Sequence, residues 1–281
     1  MRKSFGLALL LALLATACRP MAGNEGLRLY DVESGRTLAG HQAVEKLKNA
    51  RLVLVGEHHG SKFHHQAQLA VIQALHQAGR PVAVGLEMFR RESQADLDRW
   101  VAGELQERDF KPIYLDNWNL DWRFYRPVFQ YAREQKIPMI GLNIPRSVSS
   151  QVARHGFDSL TEEQKAGLEN ITCDVTDRYR QFIRDAYGGH GHGDMNFENF
   201  CEAQLLWDAA MANHALGYLL EHPDTTVVVL TGSGHARKAA IPAQVRERGN
   251  LPVVVLLPKT ERIFEPGTIT AADADYLILS F

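Results

Sequence analysis

Short runs in which almost every residue is apolar recur along this 281-residue chain, and they limit its folding more than any other feature. Leu52-Val53-Leu54-Val55-Gly56, Pro81-Val82-Ala83-Val84-Gly85-Leu86-Glu87, Pro138-Met139-Ile140-Gly141-Leu142, Thr226-Val227-Val228-Val229-Leu230 and Pro252-Val253-Val254-Val255-Leu256-Leu257 are of this kind. A strand with one face in water alternates apolar and polar residues, whereas one that is apolar throughout is covered on both faces. Between the runs the pattern is helical, over about 64–79, Glu92–Ala102, Trp122–Gln135 and about 236–248. Strands alternating with helices predict an α/β fold with a mainly parallel sheet and helices on both faces. A long helical block over 146–222, interrupted near Gly188-Gly189, reads as a helical insertion or lid. The last apolar run, Asp275 to Leu279, is expected to close a sheet edge.

The N-terminus carries a different signal. Met1-Arg2-Lys3 precedes an apolar run from Phe5 to Leu14, the order of charge and hydrophobicity in a secretory signal peptide. The run is too short for a bilayer span, which needs roughly 20 apolar residues. Ala15-Thr16-Ala17-Cys18 resembles the bacterial lipobox, with Ala15 where Leu is usual. Residues 1–17 are therefore expected to be a lipoprotein signal peptide, 18–26 a tether lipidated at Cys18, and 27–281 a single α/β domain. Arg19, in place of Asp, favours the outer membrane in enteric-type sorting, with the domain facing the periplasm or the cell surface. A net charge of −2 gives no basic footprint for nucleic acid. An oxidising compartment permits a disulfide between Cys173 and Cys201; two buried thiols are the other reading.

In open α/β sheets, ligands bind beyond the carboxyl ends of the strands. Four apolar runs end in chemically capable residues: Glu57-His58-His59-Gly60, Glu87-Met88-Phe89, Asn143-Ile144-Pro145-Arg146, and Thr231-Gly232-Ser233-Gly234-His235. Any one of these has a bland reading, since glycines make turns and histidines satisfy local hydrogen bonds. Together they predict that Glu57, His59, Glu87, Asn143, Arg146 and His235 converge on one rim. Two imidazoles and one or two carboxylates are the donor set of a divalent-metal or an acid–base site. His64 and His65 open the following helix within reach of that rim, one expected to support the site and the other to face solvent. Trp122, Tyr125 and Phe129 keep a helical stripe next to Trp118, which reads as core or as an apolar wall for a flat ligand.

These strand-end motifs, with Phe197–Gln204 and Asp208–Met211 downstream, resemble the motif set of the ChaN haem-binding lipoproteins. That family sits in the Tiki/TraB/erythromycin-esterase-like superfamily, and the similarity spans roughly residues 50–257. The resemblance implies a lipoprotein that binds haem and assists iron uptake beside an outer-membrane receptor. It also implies a homodimer in which two haems stack at the interface, with a tyrosine oxygen on iron. The wider superfamily implies an alternative, a metal-dependent peptidase or esterase with Mn or Zn at Glu57, His59, Glu87 and His235, supported by Asn143, Arg146, His64 and His65. A scaffold with a decayed site is the third reading.

The resemblance turns attention to Tyr179, Tyr187, His190 and His192, around the glycine-rich stretch 188–193. On their own these residues read as a solvent loop. Given the resemblance, Tyr179 or Tyr187 is the expected iron ligand, and His190 or His192 its helper. Arg178, Arg180 and Arg184 lie nearby as candidates for the propionates, or as a solvated helix face.

Overall fold

The structure is a computed structural model and describes residues 26–166, 168, 171, 173–187, 196–249, 251–260 and 266–281. Cys18, His190 and His192 lie outside the described residues, and Tyr187 is described in its backbone only.

The chain begins with a hairpin of β1 (Arg28–Asp31) and β2 (Thr37–Ala39), then α1 (His41–Lys48), β3 (Leu52–Glu57), α2 (Lys62–Gln77) and β4 (Val82–Arg90). Three helices follow, α3 (Gln94–Ala102), α4 (Glu107–Asn117) and α5 (Trp122–Gln135), before β5 (Met139–Asn143). Next come α6 (Arg146–His155), α7 (Glu162–Ala166), α8 (Asp177–Tyr187) and α9 (Phe197–Glu221). The chain ends with β6 (Thr226–Gly232), α10 (Ser233–Ala236), α11 (Ile241–Arg248), β7 (Val253–Pro258) and β8 (Tyr276–Ser280). The eight strands form one sheet in the order β2-β1-β8-β7-β3-β6-β4-β5. All pairings from β8 to β5 are parallel, and only the two made by β1 are antiparallel.

The apolar runs do what their composition demands. On β3, Val53 and Val55 pack with Val84, Leu86, Val228 and Leu230 against the face covered by α1 to α5. Their neighbours Leu52 and Leu54 turn to the other face, where Met211, Ala212, Ala215 and Leu219 of α9 cover them. Each such side chain is fully buried, worth about 1.5–3 kcal/mol in transfer free energy. Within the helical block, α9 covers the sheet and packs against α6 and α8 through Leu206, Ala209 and Leu205.

The expected α/β architecture is present, with three differences. β8 does not close the sheet: β1 and β2 continue beyond it. The helical pattern at 236–248 is two helices, α10 and α11, and α10 begins right at the end of β6. β4 runs to Arg90, three residues past the expected Glu87, and its register against β5 shifts there. Leu86 pairs with Gly141 and Arg90 with Asn143, so four steps on β4 face two on β5. The surplus bulges outward around Glu87, as bulges beside functional sites do. Gly141 makes the bulge possible, because a Cβ there would run into the Arg90 carbonyl. Among the described residues no helix is long and apolar enough to cross a membrane.

Candidate functional site

β3, β6, β4 and β5 are neighbours and point the same way, so their carboxyl ends share one rim. Above it lies a cavity of about 820 Å³, lined by Glu57, His59, Glu87, Asn143, Arg146 and His235. The six residues expected to converge therefore do so. Trp118, Ile144, Met88, Phe200 and Trp207 supply apolar wall between them. The volume is within the ~300–1,000 Å³ range of small-molecule sites.

Glu57, the last residue of β3, is buried and surrounded by donors. His59 Nδ1 lies 2.7 Å from Oε1, and His65 Nδ1 lies 2.7 Å from Oε2. The Tyr125 hydroxyl also donates to Oε1. Burial alone would raise the Glu57 carboxyl, but these donors outweigh it and hold the group down at about 2. The reciprocal effect appears on both imidazoles: burial lowers each, Glu57 more than compensates, and both sit above the ordinary histidine value. His65 also places Nε2 3.0 Å from the His59 carbonyl, so both its ring nitrogens meet acceptors. A ring between two acceptors is satisfied only as imidazolium. His59, with Nδ1 engaged, packs edge-on against Trp118 at 5.1 Å and keeps Nε2 without a partner among the described residues.

A second dyad faces the first. His235, in α10 just past β6, places Nδ1 2.7 Å from Asp208 Oδ1. The Tyr179 hydroxyl donates to the other carboxylate oxygen at 2.5 Å. Asp208 sits on α9 and is 1% exposed. Burial pushes its carboxyl up, partly offset by His235 and Tyr179. Burial lowers His235, yet the adjacent Asp208 carboxylate overrides that and raises it to about 9. The adjacent Asp208 thus holds the His235 proton against the effect of burial.

Glu87 lies between the dyads. Its Oε2 accepts the Thr231 hydroxyl and the Gly232 N–H, both at 2.6 Å. A Cβ at Gly232 would sit 3.3 Å from His59 Cε1, a tight contact, so the bare backbone gives the His59 ring room beside β6. Asn143 Nδ2 donates to the Glu87 carbonyl at 2.7 Å and fixes the bulge that carries the carboxylate. Arg146 opens α6 at the cavity mouth, exposed.

Both histidines at the start of α2 are buried, at 4% and 2% exposure, so neither faces solvent as one was expected to. His64 Nδ1 accepts the His58 N–H at 2.7 Å, and burial lowers its imidazole to about 4. It is a neutral acceptor that shapes the turn, while His65 supports Glu57. Trp122, Tyr125 and Phe129 are core, as the stripe suggested, and Trp118 is cavity wall.

The four residues proposed for Mn or Zn do not fit a divalent metal. Among the described residues no three His, Cys, Asp or Glu side chains come together as a metal site. The physical reason is prior engagement: both Glu57 oxygens, Glu87 Oε2 and one nitrogen of each histidine already have partners. Cys173 and Cys201 are free thiols, the second fully buried, and burial raises both, Cys201 to about 11.

Tyr179 is 6% exposed and does not line the cavity; its hydroxyl belongs to the Asp208 dyad. Arg180 is paired with Asp177 and Glu198, each at 2.6 Å. Arg184 lies over the Phe197 ring at 5.0 Å, and Arg178 is exposed. Sequence reasoning missed Tyr125, Asp208 and Thr231 as members of the site. Asp208 had a readable signal: a lone carboxylate within Leu205-Leu206-Trp207-Asp208-Ala209-Ala210 must be buried, and a buried charge needs a partner.

A family model described as haem-binding uptake, Tiki superfamily, ChaN matches residues 43–245. Among curated proteins, RETICULATA-RELATED 5 of Arabidopsis thaliana, a chloroplastic protein, is 25% identical over 254 residues. That alignment covers 82% of this chain and 34% of the plant protein, so the chain spans about a third of its relative's length. Among solved structures, ChaN of Campylobacter jejuni, described as binding haem cofacially, superimposes with a TM-score of 0.69 at 20% identity, covering 93% of this chain and 100% of that one. The type III effector HopBA1 gives a TM-score of 0.50 at 16% identity, covering 84% and 90%. These structural likenesses show the fold.

Proposed function

The chain belongs to the ChaN family of haem-binding uptake proteins in the Tiki superfamily, and on that premise we propose that it binds haem for iron uptake at the bacterial outer membrane. The family match over residues 43–245 carries this reading. The N-terminal pattern ending at Cys18 supports a lipid anchor, which would hold the domain beside an outer-membrane receptor that delivers or accepts haem.

The haem is cargo in this reading, and the α8 region supplies its ligands. Tyr187 is the proposed iron ligand, because Tyr179 would have to give up its hydrogen bond to Asp208 to coordinate iron. Tyr187 ends α8 and directly precedes the stretch that carries His190 and His192, which would assist it. A tyrosinate suits ferric iron. Arg178 and Arg184 would neutralise propionates, since Arg180 is already spent on two carboxylates. A homodimer with two stacked haems is part of the proposal, supported by the cofacial arrangement described for the Campylobacter jejuni protein.

Absorption spectroscopy with added haemin tests the ligand. The wild type should develop a sharp, saturable Soret band, and Tyr187→Phe should shift that band and weaken binding about tenfold or more, the equivalent of about 1.4 kcal/mol. An unchanged spectrum in Tyr187→Phe, with loss in Tyr179→Phe, would move the ligand to Tyr179. No saturable band in the wild type would refute haem binding itself.

A further inference from the structure

Phe63 and Phe281 meet on the protein surface, 39% and 38% exposed, with ring centroids 5.1 Å apart. Single exposed apolar side chains are ordinary, but the place of this pair is specific. Gly26, the first described residue, packs on Phe281: a Cβ there would lie 2.5 Å from the Phe281 carbonyl carbon. β1 starts with Arg28 opposite Ser280, so the chain enters the domain beside the carboxyl end of β8. β8 is parallel to β7, and β7 to β3, so this is also the end of the sheet that carries the cavity. Phe63 lies in the first turn of α2, just past the cavity-lining His58 and His59. The entry of the chain, the aromatic pair and the cavity therefore share one end of the sheet.

We propose that this end of the domain docks on the phospholipid surface that carries the Cys18 anchor, with Phe63 and Phe281 entering the boundary between headgroups and acyl chains. The proposal rests on the anchor reading given above. Gly26 is the eighth residue after Cys18, a reach of about 30 Å at full extension, so an anchored domain is held close to the bilayer by its Phe281 corner. Charge points the same way. Arg28, Lys62 and Lys259 are exposed and make no ion pair among the described residues, in a chain whose net charge is −2. Arg28 lies opposite Ser280, Lys62 precedes Phe63, and the Lys259 N–H donates to the Ile278 carbonyl, so all three border the segments that carry the aromatic pair. Buried apolar area and cations facing anionic lipid are the two contributions that add in interfacial binding.

An acyl anchor by itself holds the domain at the membrane but leaves it free to turn. A second contact through the aromatic pair fixes its orientation and keeps the cavity end at the interface. The apolar wall of Trp118, Ile144, Phe200 and Trp207 then lies on the side of the domain nearest the lipid, where apolar ligands concentrate. A second copy of the chain is the other partner such a pair could take. A two-fold contact through the same pair would bring both sets of cations together, whereas headgroup phosphates neutralise them. Leu220 is 83% exposed on the last turn of α9, before the start of β6 and so at the opposite end of the sheet. It has no part in the contact and serves as the reference position.

The test uses the full chain, purified from membranes and reconstituted into vesicles of phosphatidylethanolamine and phosphatidylglycerol. A nitroxide spin label is attached at Phe281→Cys or at Leu220→Cys, with the unsubstituted protein labelled in parallel as background. The label at 281 should be relaxed more by oxygen, which concentrates in lipid, than by a water-soluble nickel chelate. The label at 220 should show the reverse. Adding Lys62→Glu and Phe63→Ser, both at exposed positions, should abolish the excess of oxygen over nickel at 281, with an unchanged thermal transition showing that the fold is kept. A label at 281 as open to nickel as the one at 220 would overturn the proposal. So would a label shielded from both reagents and broadened by a neighbouring label, which would assign the pair to a second copy. Mass spectrometry separates the two readings: an unacylated Cys18 defeats the anchor and the docking together, whereas acylated protein with a water-exposed label at 281 defeats the docking alone.

Discussion

Asp208 shows how one buried residue organises a site. It is held between Tyr179 and His235, and its removal strips the counter-charge from a buried imidazolium. Breaking a buried pair from one side typically costs about 3–5 kcal/mol. Asp208→Ala should therefore lower the urea midpoint strongly; a loss below about 1 kcal/mol would show that the dyad carries no such charge. The pH dependence follows the same pair. The His235 value rises from 6.5 to about 9 on folding, so its contribution is complete below 6.5 and is lost as pH climbs through about 9. Glu57 behaves in the opposite sense: at about 2 against 4.5, its contribution is complete above 4.5 and is lost as pH falls towards 2. His235→Gln should flatten the alkaline side of the stability profile. At this scale the sequence was legible where chemistry and position coincide, as at Glu57, His59, Glu87 and His235, which all follow apolar runs. It was not legible where the partner comes from a distant helix: nothing local to Tyr125 distinguishes a core phenol from one that donates to a carboxylate 68 positions away.

At the scale of elements, the strands buried on both faces were the most readable, because burial removes every polar option along them. The β1–β2 hairpin was invisible for the opposite reason. Its strands are four and three residues long and half exposed, too short to establish a period. α4 was hidden by Pro112, which interrupts the pattern although the helix continues through it. The β4 bulge could not be read either, since it depends on register against β5, a pairing property. Its prediction is specific. Gly141→Val places side-chain atoms against the Arg90 carbonyl, and forced overpacking of this kind costs about 1–3 kcal/mol. Calorimetry should show a lower Tm, and the cavity should be disturbed as well, because the bulge carries Glu87. A variant with wild-type Tm would mean that β5 relaxes away and the bulge does not rely on the bare backbone.

At the scale of the whole molecule, the cavity and the proposed haem ligands are carried by different elements. The sheet carries the Glu57, Glu87 and His235 cavity at its carboxyl end, while α8 and the residues after it carry the proposed haem ligands. Among the described residues, the Tyr179 hydroxyl on α8 donates to Asp208, the residue that holds His235 at the cavity. The proposed anchor at Cys18 sets where both would operate, and cell fractionation tests it: wild type should follow the outer membrane, and Cys18→Ser should appear in the soluble fraction. A Cys18→Ser protein that stayed with the membrane would refute the anchor. Haem binding is tested most directly by titrating the purified wild-type protein with haemin and following the Soret band together with sedimentation. The expected result is saturation at about one haem per chain, with the protein passing from monomer to dimer as stacked haems form, by analogy with symmetric two-fold assemblies. A linear, unsaturated rise in absorbance with the protein still monomeric would contradict it.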